Sequence, residues 1–309
     1  MTAIAQQLRT LLGCLESLAP LSLAGSWDNV GVLVGHSRPL EPSSGGKYRV
    51  YLTNDISMGV LEHSLTAFDG SPASLILSYH PTPFQALKKF TLENPASRVV
   101  LTAAAHNVAI FSPHTSWDAA PNGLNDWLVE GIVSSLGGGG VGGGAAVVSP
   151  IKRAAGELGE RGAGDGRFAT LSAPTTLAAV VEGVKRHLKL DTVAVSLPMQ
   201  CGAAAAAGAE AVRAAAQALP VYSVAVCAGS GGSVLGGVKA SVYVTGELSH
   251  HELLAASAAG SAVILTHHSN CERGFLPVVA QRLTQLLGGE SPNYTFLVSP
   301  VDADPLTTL

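Results

Sequence analysis

The chain has 309 residues, with 18 Lys and Arg against 22 Asp and Glu and a formal net charge of −4. Hydrophobic residues make up 47% and charged residues only 13%, which supplies a sizeable core at a length that suggests about two domains. No cluster of Lys and Arg is present, which argues against direct nucleic-acid binding, because a nucleic-acid groove works by massed cations displacing counterions.

The sparse surface charge fits an oligomer, with part of the surface hidden in subunit contacts. Cys14, Cys201, Cys227 and Cys271 form no Cys-x-x-Cys pair, and a chain of this length needs no disulfide staples, so a reduced compartment is expected. No apolar run has the length of a bilayer span. The expectation is a soluble, cytoplasmic protein, compatible also with a nuclear or mitochondrial fraction.

Leu8, Leu11, Leu12 and Leu15 share one face of a first amphipathic helix. "VGVLVG" reads as a short strand after the turn signal Asp28-Asn29. "YRVYLTNDIS" is a second strand with a cap-like Asn54-Asp55, and residues 56–68 read as helix. "ASLILSYHPTPF" is a third strand ending at Tyr79-His80. A helix with Pro95 near its start follows. "VAIFSPHTSWD" is a fourth strand that runs into a turn and a helix around Leu124 to Ile132. Strands alternating with helices imply α/β units with much parallel pairing.

The glycine-rich "SLGGGGVGGGAAVV" reads as a linker. It divides the chain into a lobe over 1–134, a linker over 135–165 and a second lobe over 166–292. Beyond it come strands "GRFATLSAP", "TVAVSLP" and "YSVAVC", with helices between. "VYVTGELSHHELL" and "SAVILTHHSNCERG" follow, then a helix near 275–287 and a closing strand in "YTFLVSP".

The two halves echo one another. In the first, a strand ends at His80, a helix follows, and the next strand ends in "HTSWD". In the second, "TGELSHH" is followed by a helix and a strand ending in "HSNCE". Each half so offers a His-x-x-x-Asp/Glu spacing, His114 with Asp118 and His268 with Glu272. Positions i and i+4 share a face of a helical turn, so imidazole and carboxylate point the same way. Parallel strands end on one edge of a sheet, where open α/β sheets hold their sites. His80 and His114 are thus expected to meet on one edge, and His251 and His268 on another. Imidazoles and carboxylates without thiolate suit Zn, Mn, Fe, Ni or Co and do not choose among them.

"SWDNVGVLVG", "SYHPTPF", "HTSWDAAPNGLNDWL", "GDGRFATLSAPTTL", "VCAGSGGSVL", "VYVTGELSHHELLAA" and "HHSNCERG" occur in this order over nearly the whole chain. In that order they resemble the NGG-interacting-factor-three-like family, eukaryotic branch, whose members carry the label GTP cyclohydrolase I type 2 homologue. The resemblance implies an α/β fold of two interlinked lobes with mixed, partly parallel sheets, a metal site in the cleft between them, and a ring-shaped homohexamer. It implies that the strand at 293–309 joins the first lobe. It implies one or two divalent ions per subunit, held by His80, Asp118, His268 and Glu272, with Glu272 bridging and His114 close by. The family's His-His stands here as Tyr79-His80, so the second ion has a phenol where an imidazole is usual.

Two functions of different class follow from the resemblance. One is a metal-dependent, cyclohydrolase-like hydrolase acting on a nucleotide-like or small polar substrate, with Glu247 and His251 as proton-moving residues. The other is an interaction protein, a transcriptional co-regulator or metal-handling scaffold. His267 and Cys271 read as bystanders, the latter as packing. "AGSGGSVLGG" resembles a phosphate cradle but lacks the Lys-Ser/Thr of a P-loop.

Overall fold

The computed structural model describes residues 8–43, 45–136 and 146–308. Eleven strands run in chain order: β1 (Gly31–Val34), β2 (Tyr48–Thr53), β3 (Leu75–Ser78), β4 (Ala109–Ser112), β5 (Ala146–Arg153), β6 (Gly164–Thr176), β7 (Ala194–Ser196), β8 (Pro220–Ser230), β9 (Val242–Glu247), β10 (Ala262–Leu265) and β11 (Tyr294–Val298). They form two mixed sheets, and the fold is α/β as expected. By its contacts the chain divides into two compact units, Met1–Trp117 with Arg273–Ala303, and Asp118–Glu272 with Asp304–Leu309.

The first unit holds a five-stranded sheet in the order β1-β4-β3-β2-β11. β1 is antiparallel to β4, and the remaining neighbours are parallel. β3 and β4 are buried at every position, as strands covered on both faces must be, which is why "LILS" and "AIFS" are runs and not alternations. The helix joining them, Pro95–Ala105, starts where Asn94 Oδ1 accepts from Ser97 N–H at 2.9 Å, with Pro95 at its first position. Its Val99 and Ala103 pack with Tyr51, Ile76 and Ile110 in the core.

The second unit holds a six-stranded sheet in the order β5-β6-β8-β9-β10-β7. The central trio β8, β9 and β10 is parallel, and the outer pairings are antiparallel. The crossover helix His250–Ala258 begins with a capping box. Ser249 Oγ accepts from Glu252 N–H, and Glu252 Oε2 accepts from Ser249 N–H at 2.7 Å. Ala225, Tyr243 and Val263 form the core beneath it.

Two segments differ from their sequence reading. The glycine run at 137–145 lies outside the described residues, but Ala146–Arg153 beyond it is strand β5, paired along its length with β6. The strand read at "GRFATLSAP" starts earlier, in "GAGDGRF". β6 begins within it at Gly164, and Arg167 is buried there. The Arg167 guanidinium forks onto both oxygens of Asp126 at 2.6 and 2.9 Å and donates to the carbonyls of Gly164, Gly166 and Ala120. A buried guanidinium is tolerable only when its donors are matched in this way. Among the described residues, no helix is long and apolar enough to cross a membrane.

Candidate metal centre

In the first unit, parallel β3 and β4 end side by side, and the residues just past them are Tyr79-His80 and Pro113-His114. The two imidazoles meet with ring centroids 5.3 Å apart. Each is held through Nδ1 by a carboxylate: His80 by Asp55 at 2.9 Å and His114 by Asp28 at 2.7 Å. An ionised carboxylate only accepts, so Nδ1 carries the proton and the lone pair is left on Nε2.

Burial pushes the Asp28 carboxyl up. The hydrogen bonds from His114 and Thr115 outweigh that and hold it below the usual carboxylate range. Asp55 follows the same pattern, with burial opposed by His80, Asn54 and Arg273 and the net direction downward. Tyr79 is buried, its ring 4.9 Å from that of His80 and 5.5 Å from that of His114.

The second unit repeats the device. Two residues past β4 and two past β10, the backbone turns through a positive φ at a non-glycine residue: 34° at His114 and 66° at His267. His268 follows, and residues Ser269–Cys271 make a 3-10 turn. His268 Nδ1 meets Glu247 Oε1 at 3.0 Å, and its Nε2 stands 3.5 Å from Glu272 Oε1. The i, i+4 spacing therefore does bring imidazole and carboxylate together. Glu272 is only 2% exposed.

Glycines make room for this pair. A Cβ on Gly229, whose φ is +62°, would lie 2.7 Å from Glu272 Oε1 and 3.0 Å from His268 Nε2. One on Gly246 would lie 2.7 Å from His268 Cα. Cys271 is fully buried, its Sγ accepting from Gly229 N–H at 3.2 Å and donating to the His268 carbonyl at 3.1 Å. Burial pushes its thiol far up, with the Glu272 charge adding to the effect. It is a packed thiol and not a ready thiolate ligand.

Within the second unit His268 and Glu272 each offer one donor atom, Nε2 and Oε1 standing 3.5 Å apart, and within the first unit His80 offers a ring nitrogen of its own. The donor set fits a divalent cation. The His268 imidazole presents an Nε2 lone pair because Glu247 holds Nδ1, and its neighbour Glu272 is a carboxylate whose burial calls for positive charge beside it; in the first unit Asp55 prepares His80 in the same way. Such a set suits Zn, Mn, Fe, Ni or Co.

The other predicted residues have partners of their own. His114 lies against His80, tied to Asp28. Asp118 lies in the helix Thr115–Ala119, and its carbonyl accepts from Asn125 Nδ2 at 3.2 Å. Its charge and that of Glu272 both push the buried Cys227 thiol up, after burial itself. Glu247 is the carboxylate on His268. His251 is exposed in the first turn of its helix, its ring edge-on to His250. Asp55 and Gly229 were missed as site residues. Asp28 reads from the sequence only as part of a turn signal.

The sequence and the fold point the same way. A model of the family described as Duf34/NIF3 (NGG1p interacting factor 3) matches residues 6–305. The chain belongs to the Duf34/NIF3 family. It is 37% identical over 295 residues to the protein NIF3 homolog of Schizosaccharomyces pombe, covering 95% of each chain. It is 34% identical to the NIF3-like protein 1 of Rattus norvegicus, covering 97% of this chain and 92% of that one. Among solved structures, Staphylococcus aureus protein SA1388 superposes with a TM-score of 0.72 at 18% identity, over 100% of this chain and 99% of that one. At that identity the likeness shows the fold alone, and it places this Duf34/NIF3 chain on the same mixed α/β framework.

Proposed function

We propose that the protein is a divalent-metal-dependent hydrolase acting on a small polar or nucleotide-like substrate. The observation that carries this reading is the pair His268 and Glu272, with His268 held at Nδ1 by Glu247; His80, held in the same way by Asp55, is the third donor of this reading. When bound, a divalent cation supplies Lewis acidity and eases the ionisation of water.

The chain's own residues do the rest. Asp55 and Glu247 fix the tautomer and direction of His80 and His268. Buried Glu272 supplies negative charge that balances a cation. Glu247, exposed at the end of β9, and His251, exposed in the next helix, carry protons between substrate and solvent. Asp118 and His114 complete the donor set for a second ion, with Tyr79 standing where the family pattern has an imidazole. The working assembly in this reading is a homohexamer, and its compartment is the cytoplasm.

The test is a hydrolysis panel in which the purified protein, loaded with Zn, Mn, Fe, Ni or Co, is offered GTP and small cyclic amides. Product formation that His268→Ala abolishes is expected. GTP giving neither formate nor any other product removes the cyclohydrolase label. A second reading is favoured by the family's description as an NGG1p interacting factor: a protein partner in transcription regulation, independent of turnover. It predicts that the double variant His268→Ala, Glu272→Ala keeps full partner binding.

A further inference from the structure

Beside the His80–His114 pair stand two large side chains that a water-soluble surface ordinarily hides. Trp27 is 67% exposed and Phe84 52% exposed. Exposed apolar area is unfavourable, and it is usually scattered, not gathered around polar machinery. Here the rings touch each other, with centroids 6.1 Å apart at 43°. Both stand edge-on to the His114 imidazole, at 5.9 and 5.8 Å.

The two rings are also fixed. The indole lies across Gly25, where a Cβ would come within 2.7 Å of its Nε1. Gly25 N–H donates to Thr115 Oγ1 at 3.0 Å, and Thr115 in turn donates to Asp28. Asn29 Nδ2 donates to the Pro83 carbonyl at 2.8 Å, tying the Trp27 turn to the Phe84 loop. The aromatic faces are therefore prearranged while largely open, so a ligand stacking on them meets little ordering cost.

We propose that Trp27 and Phe84 form a stacking platform for a planar heteroaromatic ring of the substrate. The patch is two rings wide, far short of the roughly 1,000 Å² that a specific protein interface needs. It adjoins imidazoles and carboxylates, so its occupant combines a flat apolar face with a polar edge. A heteroaromatic ring has both, and stacking is indifferent to which ring it is. The platform narrows the substrate class of the hydrolase reading, on which its functional meaning rests.

The test is equilibrium dialysis of the full chain with inosine and with nicotinamide, using ribose and acetamide as ring-free controls. Metal content and sedimentation are read on the same samples. Expected is binding of at least one ring probe but neither control. Trp27→Ala should weaken it by about ten-fold, within the range of one lost stack, while Trp27→Tyr stays within about three-fold and Phe84→Ala lies between. Metal content should not change. The proposal is overturned if neither ring probe binds, if Trp27→Ala binds them as the wild type does, or if Trp27→Ala and Phe84→Ala break an assembly, which would make the pair a contact between copies. Ring binding in a chain that takes up no metal would sink the hydrolase reading and leave the platform standing.

Discussion

Glu247 and His268 meet at 3.0 Å, carboxylate oxygen to Nδ1, while Nε2 of the same imidazole stands 3.5 Å from buried Glu272. One ring thus carries an orienting partner on one nitrogen and a donor neighbour on the other. Removing the orienting carboxylate leaves the ring free to turn and to change tautomer. Glu247→Ala should therefore weaken divalent-metal binding by roughly 10- to 100-fold. Because Glu247 is exposed, thermal unfolding of the metal-free protein should barely move. Isothermal titration with Zn or Mn, beside a melting curve, reads both.

Gly229 lies close against both members of that pair. Its φ of +62° strains any side chain, and a Cβ there would meet Glu272 Oε1 at 2.7 Å. Gly229→Ala should cost about 1–3 kcal/mol in urea unfolding and reduce metal uptake, since Glu272 must move. Unchanged stability and uptake would show that the approach is slack.

His187 offers a pH test away from the centre. Its ring packs 4.3 Å from Trp127 and lies on Gly131, and its Nε2 is buried without a hydrogen-bond partner among the described residues. Burial pulls its pKa down to about 4, against a smaller upward pull from the hydrogen bond with the Trp127 backbone. The folded chain then holds His187 neutral, while the unfolded chain takes up a proton below the ordinary value of about 6.5. Stability from this group is complete above pH ~6.5 and is lost progressively as pH falls towards 4, by up to ~3 kcal/mol. Urea melts at pH 7.5, 5.5 and 4.5 should show that slope, and His187→Gln should flatten it.

Arg167 is 1% exposed and grips Asp126 through both oxygens. Arg167→Met strands the Asp126 carboxylate and the carbonyls of Gly164, Gly166 and Ala120. A loss of about 3–5 kcal/mol is expected, large enough to appear as a clear drop in Tm. Arg167→Lys should not restore it, because an ammonium cannot fork.

The repeated β-α-β unit was legible because its signals are local: a buried run, a cap, and a histidine at each strand end. Pro95 announced its helix for the same reason. His268 and Glu272 were legible because an i, i+4 spacing survives even a 3-10 turn. The orienting carboxylates were less so. Asp28 lies 86 positions before His114, and Asp55 25 before His80, so only the sheet order brings them together. Asp28 looked like a turn former because it is one as well, accepting from Asn29 N–H at 2.8 Å. β5 was hidden by the glycine run ahead of it. Gly229 looked like an anion loop because the sequence shows that a glycine is needed but not what it makes room for.

The proposal that His268 and Glu272, with His80, hold a divalent cation is tested most directly by metal analysis of the purified chain and of His268→Ala, paired with far-UV circular dichroism. His268 is partly exposed, so its truncation should leave the spectrum unchanged. At least one equivalent of transition metal per wild-type chain is expected, with most of it lost in the variant. Wild-type stoichiometry in a folded His268→Ala chain would contradict it.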